Sequence, residues 1–156
     1  MKKHLVLSAL LVGSLALNTQ EAQAATYEAH VKEYQVSKST SGTSYLTHRV
    51  DFGTSSSLGR GSLTKRFTFD LSTKKLTEVR LNNSVSKGSP YYTHMYAVTS
   101  SGSTVRYSFP YKEFTSQPLT IWKPNLTKPK EVTVYFNDHV SGTGSIQHRV
   151  HSFFKY

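Results

Sequence analysis

The chain has 156 residues, 19 Lys and Arg against 9 Asp and Glu, a net charge of +10 with histidine neutral, and no cysteine. Without thiols there is neither a disulfide framework nor a lipid-anchored lipoprotein, so stability has to come from packing. The basic balance favours anionic partners, and the length is that of one domain able to bury roughly two-thirds of its unfolded surface.

Lys2-Lys3-His4 opens the chain with positive charge, and Leu5 to Leu17 is apolar apart from Ser8, Gly13 and Ser14. Ala22-Gln23-Ala24 then has the small-x-small pattern of a signal-peptidase site. The apolar run is about thirteen residues, short of the roughly 20 that span a bilayer. The expectation is therefore a signal peptide over 1–24, cleaved after Ala24, and a single all-β domain over 25–156 that is secreted or wall-associated. Cleavage removes Lys2, Lys3 and Glu21 and leaves a net charge of +9. The short leader and cysteine-free domain resemble the format of Gram-positive exported proteins.

No later segment has an apolar period of 3.6, and β-branched and aromatic residues dominate. Tyr27 to Ser37 reads as a first strand. Ser44 to Phe52 alternates, with Leu46, His48, Val50 and Phe52 on one face and Tyr45, Thr47, Arg49 and Asp51 on the other. Gly53 to Ser62 is a Gly/Ser-rich loop carrying Arg60. Leu63 to Asp70 presents Leu63, Phe67 and Phe69, and Leu76 to Asn82 returns with Val79 and Leu81 to meet them. Tyr91–Thr99 and Thr104–Phe109 flank Ser101-Gly102. A two-residue loop there sets Tyr96 opposite Tyr107 and His94 opposite Phe109, and gathers Tyr92, His94, Tyr96, Val98, Val105, Tyr107 and Phe109 on a core face. Pro110 to Lys130 holds four prolines, one short strand at Leu119–Lys123, and Ile121 and Trp122 to close the core. Glu131 to Tyr156 reads as a last hairpin turning at Gly142-Thr143, with Phe136 opposite Arg149, Val134 opposite His151, and Asp138 beside Arg149 as a surface pair.

The predicted fold is an antiparallel β-sandwich, or a partly closed barrel, of about eight or nine strands built from hairpins. Residues 41–50 and 141–150 share six identities in ten, both ending His-Arg-Val, a turn-then-strand solution used twice.

Catalytic signatures are weak. No Gly-x-Ser-x-Gly elbow is present, and the eight carboxylates of 25–156 read as strand-edge or turn charges rather than a pair across a cleft. Gly59-Arg60-Gly61-Ser62 lacks the lysine of a phosphate loop. No cofactor is implied. For a metal, only His139 and His148 can share a strand face, a pair short of a ligand set.

The leading reading is a non-catalytic binder of an anionic wall or surface polymer, through Arg49, Arg60, Lys65, Arg66, Lys74, Lys75 and Arg106 with Trp122, and no specific nucleic acid. A second is a secreted, membrane-active antagonist resting Trp122, Phe153 and Phe154 on a membrane surface. The leader, the basic charge and the tail Ser152-Phe153-Phe154-Lys155-Tyr156 resemble the small exported bacteriocins of the lactococcin type, which implies that second role. A hydrolase without a recognisable motif comes third.

Overall fold

The computed structural model describes residues 2–6, 26–53, 59–139 and 145–156. Strands β1 (Lys2–Val6), β2 (Thr26–Gln35), β3 (Thr43–Phe52), β4 (Arg60–Asp70), β5 (Lys75–Lys87), β6 (Tyr91–Val98), β7 (Thr104–Tyr107), β8 (Leu119–Trp122), β9 (Leu126–Thr127), β10 (Glu131–His139) and β11 (Ser145–Lys155) run through them. Among the described residues there is no helix. One sheet has the order β1-β2-β11-β10-β6-β7; the other has β3-β4-β5-β8, with β9 on β5. Neither closes into a barrel.

Period-two patterning builds the five-stranded sheet as its sequence suggests. His48, Val50 and Phe52 of β3 and Leu63, Phe67 and Phe69 of β4 are buried, as are Leu76, Val79 and Leu81 of β5. Leu76 and Val79 are three apart, yet both point inward. The register of β5 on β4 shifts at Thr68/Phe69, so Thr77 is an extra residue that turns the strand over. Across the core, Phe154 meets Phe67 at 4.9 Å and Phe69 at 5.1 Å between ring centroids, and Phe136 meets Phe52 at 5.1 Å and Phe114 at 5.2 Å. Each such buried ring contributes on the order of 1.5–3 kcal/mol.

The six-stranded sheet departs from the sequence expectations in four places. In the β6–β7 hairpin Met95 pairs with Tyr107 and Ala97 with Val105, one residue from the expected register. Thr99 N donates to Ser103 O at 2.8 Å and Gly102 N to Thr99 O at 2.9 Å, so the loop has three residues rather than two. Gly102 takes φ 95°, where a side chain is disfavoured. In addition, β6 shifts register on β10 between Tyr135 and Phe136, leaving Thr93 as a bulge. Tyr92 points inward on one side of that bulge and Met95 and Ala97 on the other, while His94, Tyr96 and Val98 leave the core face they were expected to share.

The β10–β11 hairpin is also offset by one. Val134 pairs with Val150, Phe136 with His148, and Asp138 with Ile146. The expected turn at Gly142-Thr143 lies outside the described residues. Asp138 is not a surface partner of Arg149; it is buried beside His148. The fourth departure is that β11 is an interior strand, antiparallel to β10 and parallel to β2, so the sheet is not built of hairpins alone.

In the proline-rich connection, Phe114 fills the core end that Ile121 was expected to close. Ile121 is 42% exposed, and Trp122 packs its ring 5.7 Å from Tyr107. The two similar segments occupy unlike places: β3 edges one sheet and β11 lies inside the other. Both nevertheless turn their histidine, His48 and His148, into the interior.

Candidate functional site

The candidate site follows from the Thr93 bulge. Once β6 is flipped, its polar aromatic residues join those of β10 on the outward face of the six-stranded sheet. Backbone pairing sets the rows: Arg149, Tyr135 and His94 lie side by side, and His151, Thr133, Tyr96 and Arg106 form the next row. His94 and Tyr135 are 5.4 Å apart between ring centroids, and Tyr96 and Tyr135 6.0 Å. Together with Val98, Thr104 and Arg106 they line an open groove of about 460 Å³.

Charge is arranged unevenly around this groove. The Arg149 guanidinium lies 3.6 Å over the Tyr27 ring and 5.6 Å from that of Tyr135, and its Nε donates to Gln147 Oε1 at 2.8 Å. It therefore braces Tyr135 from one side. Arg106 is exposed and takes no part in the ion pairs among the described residues. Burial, then the neighbouring Tyr135, pushes the Tyr96 hydroxyl up to about 12, so it stays a neutral donor. Burial raises the Glu131 carboxyl, but hydrogen bonds from His151 and Thr133 outweigh it and hold the group below its ordinary value. The Glu131 carboxylate is thus already engaged, by His151 Nδ1 at 3.0 Å and by the Thr133 hydroxyl.

The basic residues singled out from sequence do not form one face. Arg49 is on the outward face of β3, paired with Asp51 at 2.9 Å. Arg66 stands on the same face of β4, 5.0 Å over the Tyr45 ring, opposite Arg80 of β5, which pairs with Glu78 at 3.0 Å. Arg60 starts β4 and donates to Gly53 O at 3.1 Å. Lys74, at the far β4–β5 turn beside Lys75, donates to Ser37 O at 2.8 Å and Ser39 O at 2.6 Å. Only Arg106 lines the aromatic groove; Trp122 packs against the core instead.

Lys65 is a correction of a different kind. It is fully buried, with Nζ donating to Val150 O at 2.8 Å and Val132 O at 3.0 Å across the interior. Burial pulls its amine well below the ordinary lysine value, against a smaller pull upward from Glu131. It ties the two sheets together and is not available to a surface ligand. Phe154 is likewise interior, so of the three aromatics named for membrane contact only Phe153 faces outward with the β11 residues Arg149 and His151.

A second polar cluster lies on the inward side. Glu28, His30 and His148 bring one oxygen and two nitrogens together. His30 Nε2 is 3.0 Å from His148 Nδ1, and Glu28 Oε1 is 3.4 Å from His148 Nδ1 and 3.8 Å from His30 Nε2. His148 thus meets residues of β2; the expected pairing with His139 lies outside the described residues, which do not include that side chain. Nearby, His48 Nδ1 is 2.8 Å from Ser152 Oγ. A cleft of about 360 Å³ between β2 and β3, lined by His30, Lys32, His48, Arg49 and Asp51 among others, opens to solvent there.

Sequence reasoning missed His94 and Tyr96 as neighbours of Tyr135 because it ran one alternation through Thr93, and missed Arg149 beside Tyr135 because its β10–β11 register was one residue off. The available signal was the phase of the apolar residues, since Met95 and Ala97 fall out of step with Tyr92. In comparisons with protein-family models, curated proteins and solved structures, the chain matches none.

Proposed function

We propose that this chain is an exported, non-catalytic β-sandwich protein that binds an anionic wall or surface polymer along the outward face of its six-stranded sheet. The observation that carries the reading is the groove, where His94, Tyr96 and Tyr135 stand beside an Arg106 that has no ion-pair partner among the described residues. Ring faces stack on sugar rings while a guanidinium pairs with a carboxylate or phosphate in a bidentate manner. The surplus of positive charge over the whole chain, +10, raises the local concentration of such a polymer. Removal of a leader at Ala24 would take β1 away and bare the edge of β2 at Thr26–His30, without touching the groove.

The test is retention of the purified protein on purified wall material and on matched acidic and neutral glycans, at low and at high salt. The expected result is retention on the acidic polymer that weakens with salt and is lost on replacing Tyr96 and Tyr135 by alanine. Equal retention on the neutral glycan, or indifference to both replacements, would remove the groove from the account.

A further inference from the structure

We propose that Glu28, His30 and His148 form a binding site for a divalent transition-metal ion, zinc by donor type, with Asp138 orienting His148 from behind. Three independent features converge on it.

The first is placement. Glu28 and His30 are two apart on β2, hence on one side of the strand, and His148 is the register partner of Glu28 on the parallel neighbour β11. All three donors therefore rest on paired backbone, which is how a preorganised site is held. The second is spacing. Ligand bonds of about 2.0–2.2 Å in a tetrahedral arrangement put donor atoms roughly 3.3 Å apart. The observed separations of 3.0, 3.4 and 3.8 Å bracket that value. Two histidines and one carboxylate leave a fourth position open, and His30 lines the cleft that reaches solvent beside it.

The third feature lies behind the cluster. His148 is 1% exposed and Asp138 is 1% exposed, and among the described residues His148 Nε2 and both Asp138 carboxylate oxygens are buried without a hydrogen-bond partner. Nε2 and Oδ2 are 3.6 Å apart. A buried carboxylate in that state is costly. An ion on Nδ1 accounts for it: Nε2 then keeps its proton and donates to Asp138, the carboxylate–histidine–metal arrangement that fixes a ligand's tautomer and ring orientation. Two carboxylates also balance a divalent charge. A methyl group at the Cα of Gly59 would overlap Asp138 Oδ1, so the carboxylate occupies space that a glycine at position 59 leaves open. Without an ion, the same residues reduce to a hydrogen bond between two stacked imidazoles, 5.3 Å between centroids.

Chelator-stripped protein titrated with Zn²⁺ by calorimetry, and with Co²⁺ by visible absorption, separates the two. The expected result is one ion per chain and intense Co²⁺ bands of a four-coordinate site, with affinity about 10–100-fold weaker in Asp138→Asn and uptake lost in His30→Gln. Glu28→Gln, at the more exposed rim of the cluster, keeps the test open if a buried variant fails to fold; its far-ultraviolet circular dichroism should be unchanged and its Zn²⁺-induced rise in Tm absent. His94→Ala, on the groove, should bind Zn²⁺ as the parent does. Failure of the parent protein to take up Zn²⁺, or uptake that Glu28→Gln and His30→Gln leave intact, overturns the proposal and leaves a structural histidine pair.

Discussion

The outward faces of the two sheets are made of similar residues and arranged to opposite effect. On the five-stranded sheet, Arg49 and Arg80 are each neutralised by a carboxylate two residues away on the same strand, and Arg66 lies over Tyr45. On the six-stranded sheet the bulge at Thr93 curves the surface, Arg149 is held between Tyr27 and Tyr135, and Arg106 is left facing a groove of rings. What separates them is local pairing, not composition. A basic side chain is available to a partner only when no carboxylate of its own sheet has reached it first.

The largest test of that contrast uses the basic residue that the five-stranded sheet turns inward. Lys65→Ala should lower the free energy of unfolding by about 3 kcal/mol, by leaving a hole beside Phe67. Lys65→Met, which keeps the volume and removes a buried amine, should cost less than about 1.5 kcal/mol. Urea denaturation measures both, and neither should alter polymer binding per folded molecule. Next in size, Tyr96→Ala with Tyr135→Ala should weaken polymer binding by about 10–100-fold at low salt, from two lost stacking surfaces, as read by affinity electrophoresis.

Acid probes the interior behind the two faces. Burial, with Lys65, Lys32 and His30 nearby, pulls His48 down to about 3 from its ordinary 6.5. Between those values the unfolded chain binds a proton that the folded chain refuses, so stability is full above the upper value and is lost as pH falls toward the lower one. From pH 7 to pH 5 this one group should remove about 2 kcal/mol. Urea midpoints at the two pH values should move less in His48→Gln, which has nothing to titrate there; an equal shift would assign the acid sensitivity elsewhere. The smallest expected effect belongs to Arg49→Ala and Arg80→Ala, each changing polymer affinity by less than about twofold because the ion pair it loses was solvent-screened. A tenfold loss in either would reverse the comparison.

Much of the five-stranded sheet was legible because one face is buried and period two makes each residue's side a matter of parity. Lys65 itself lies in step with Leu63 and Phe67, and only the expectation that charge means surface obscured its place in the core. Two features were not legible, for physical reasons. A bulge adds one residue without a fixed sequence mark, and at Thr93 it moved His94 and Tyr96 from the core to the groove. The pairing of β2 with β11 joins positions about as distant as the chain allows, His30 and His148 being 118 residues apart, so nothing local to either histidine announced Glu28, Asp138 or the other ring.

The most direct measurement of the central claim is a residue-resolved titration of the isotopically labelled protein with the anionic polymer, followed by backbone amide shifts. Changes are expected only at His94–Val98, Thr104–Arg106 and the neighbourhood of Tyr135. Changes centred instead on Arg49, Arg66 and Arg80 would place binding on the five-stranded sheet and contradict it.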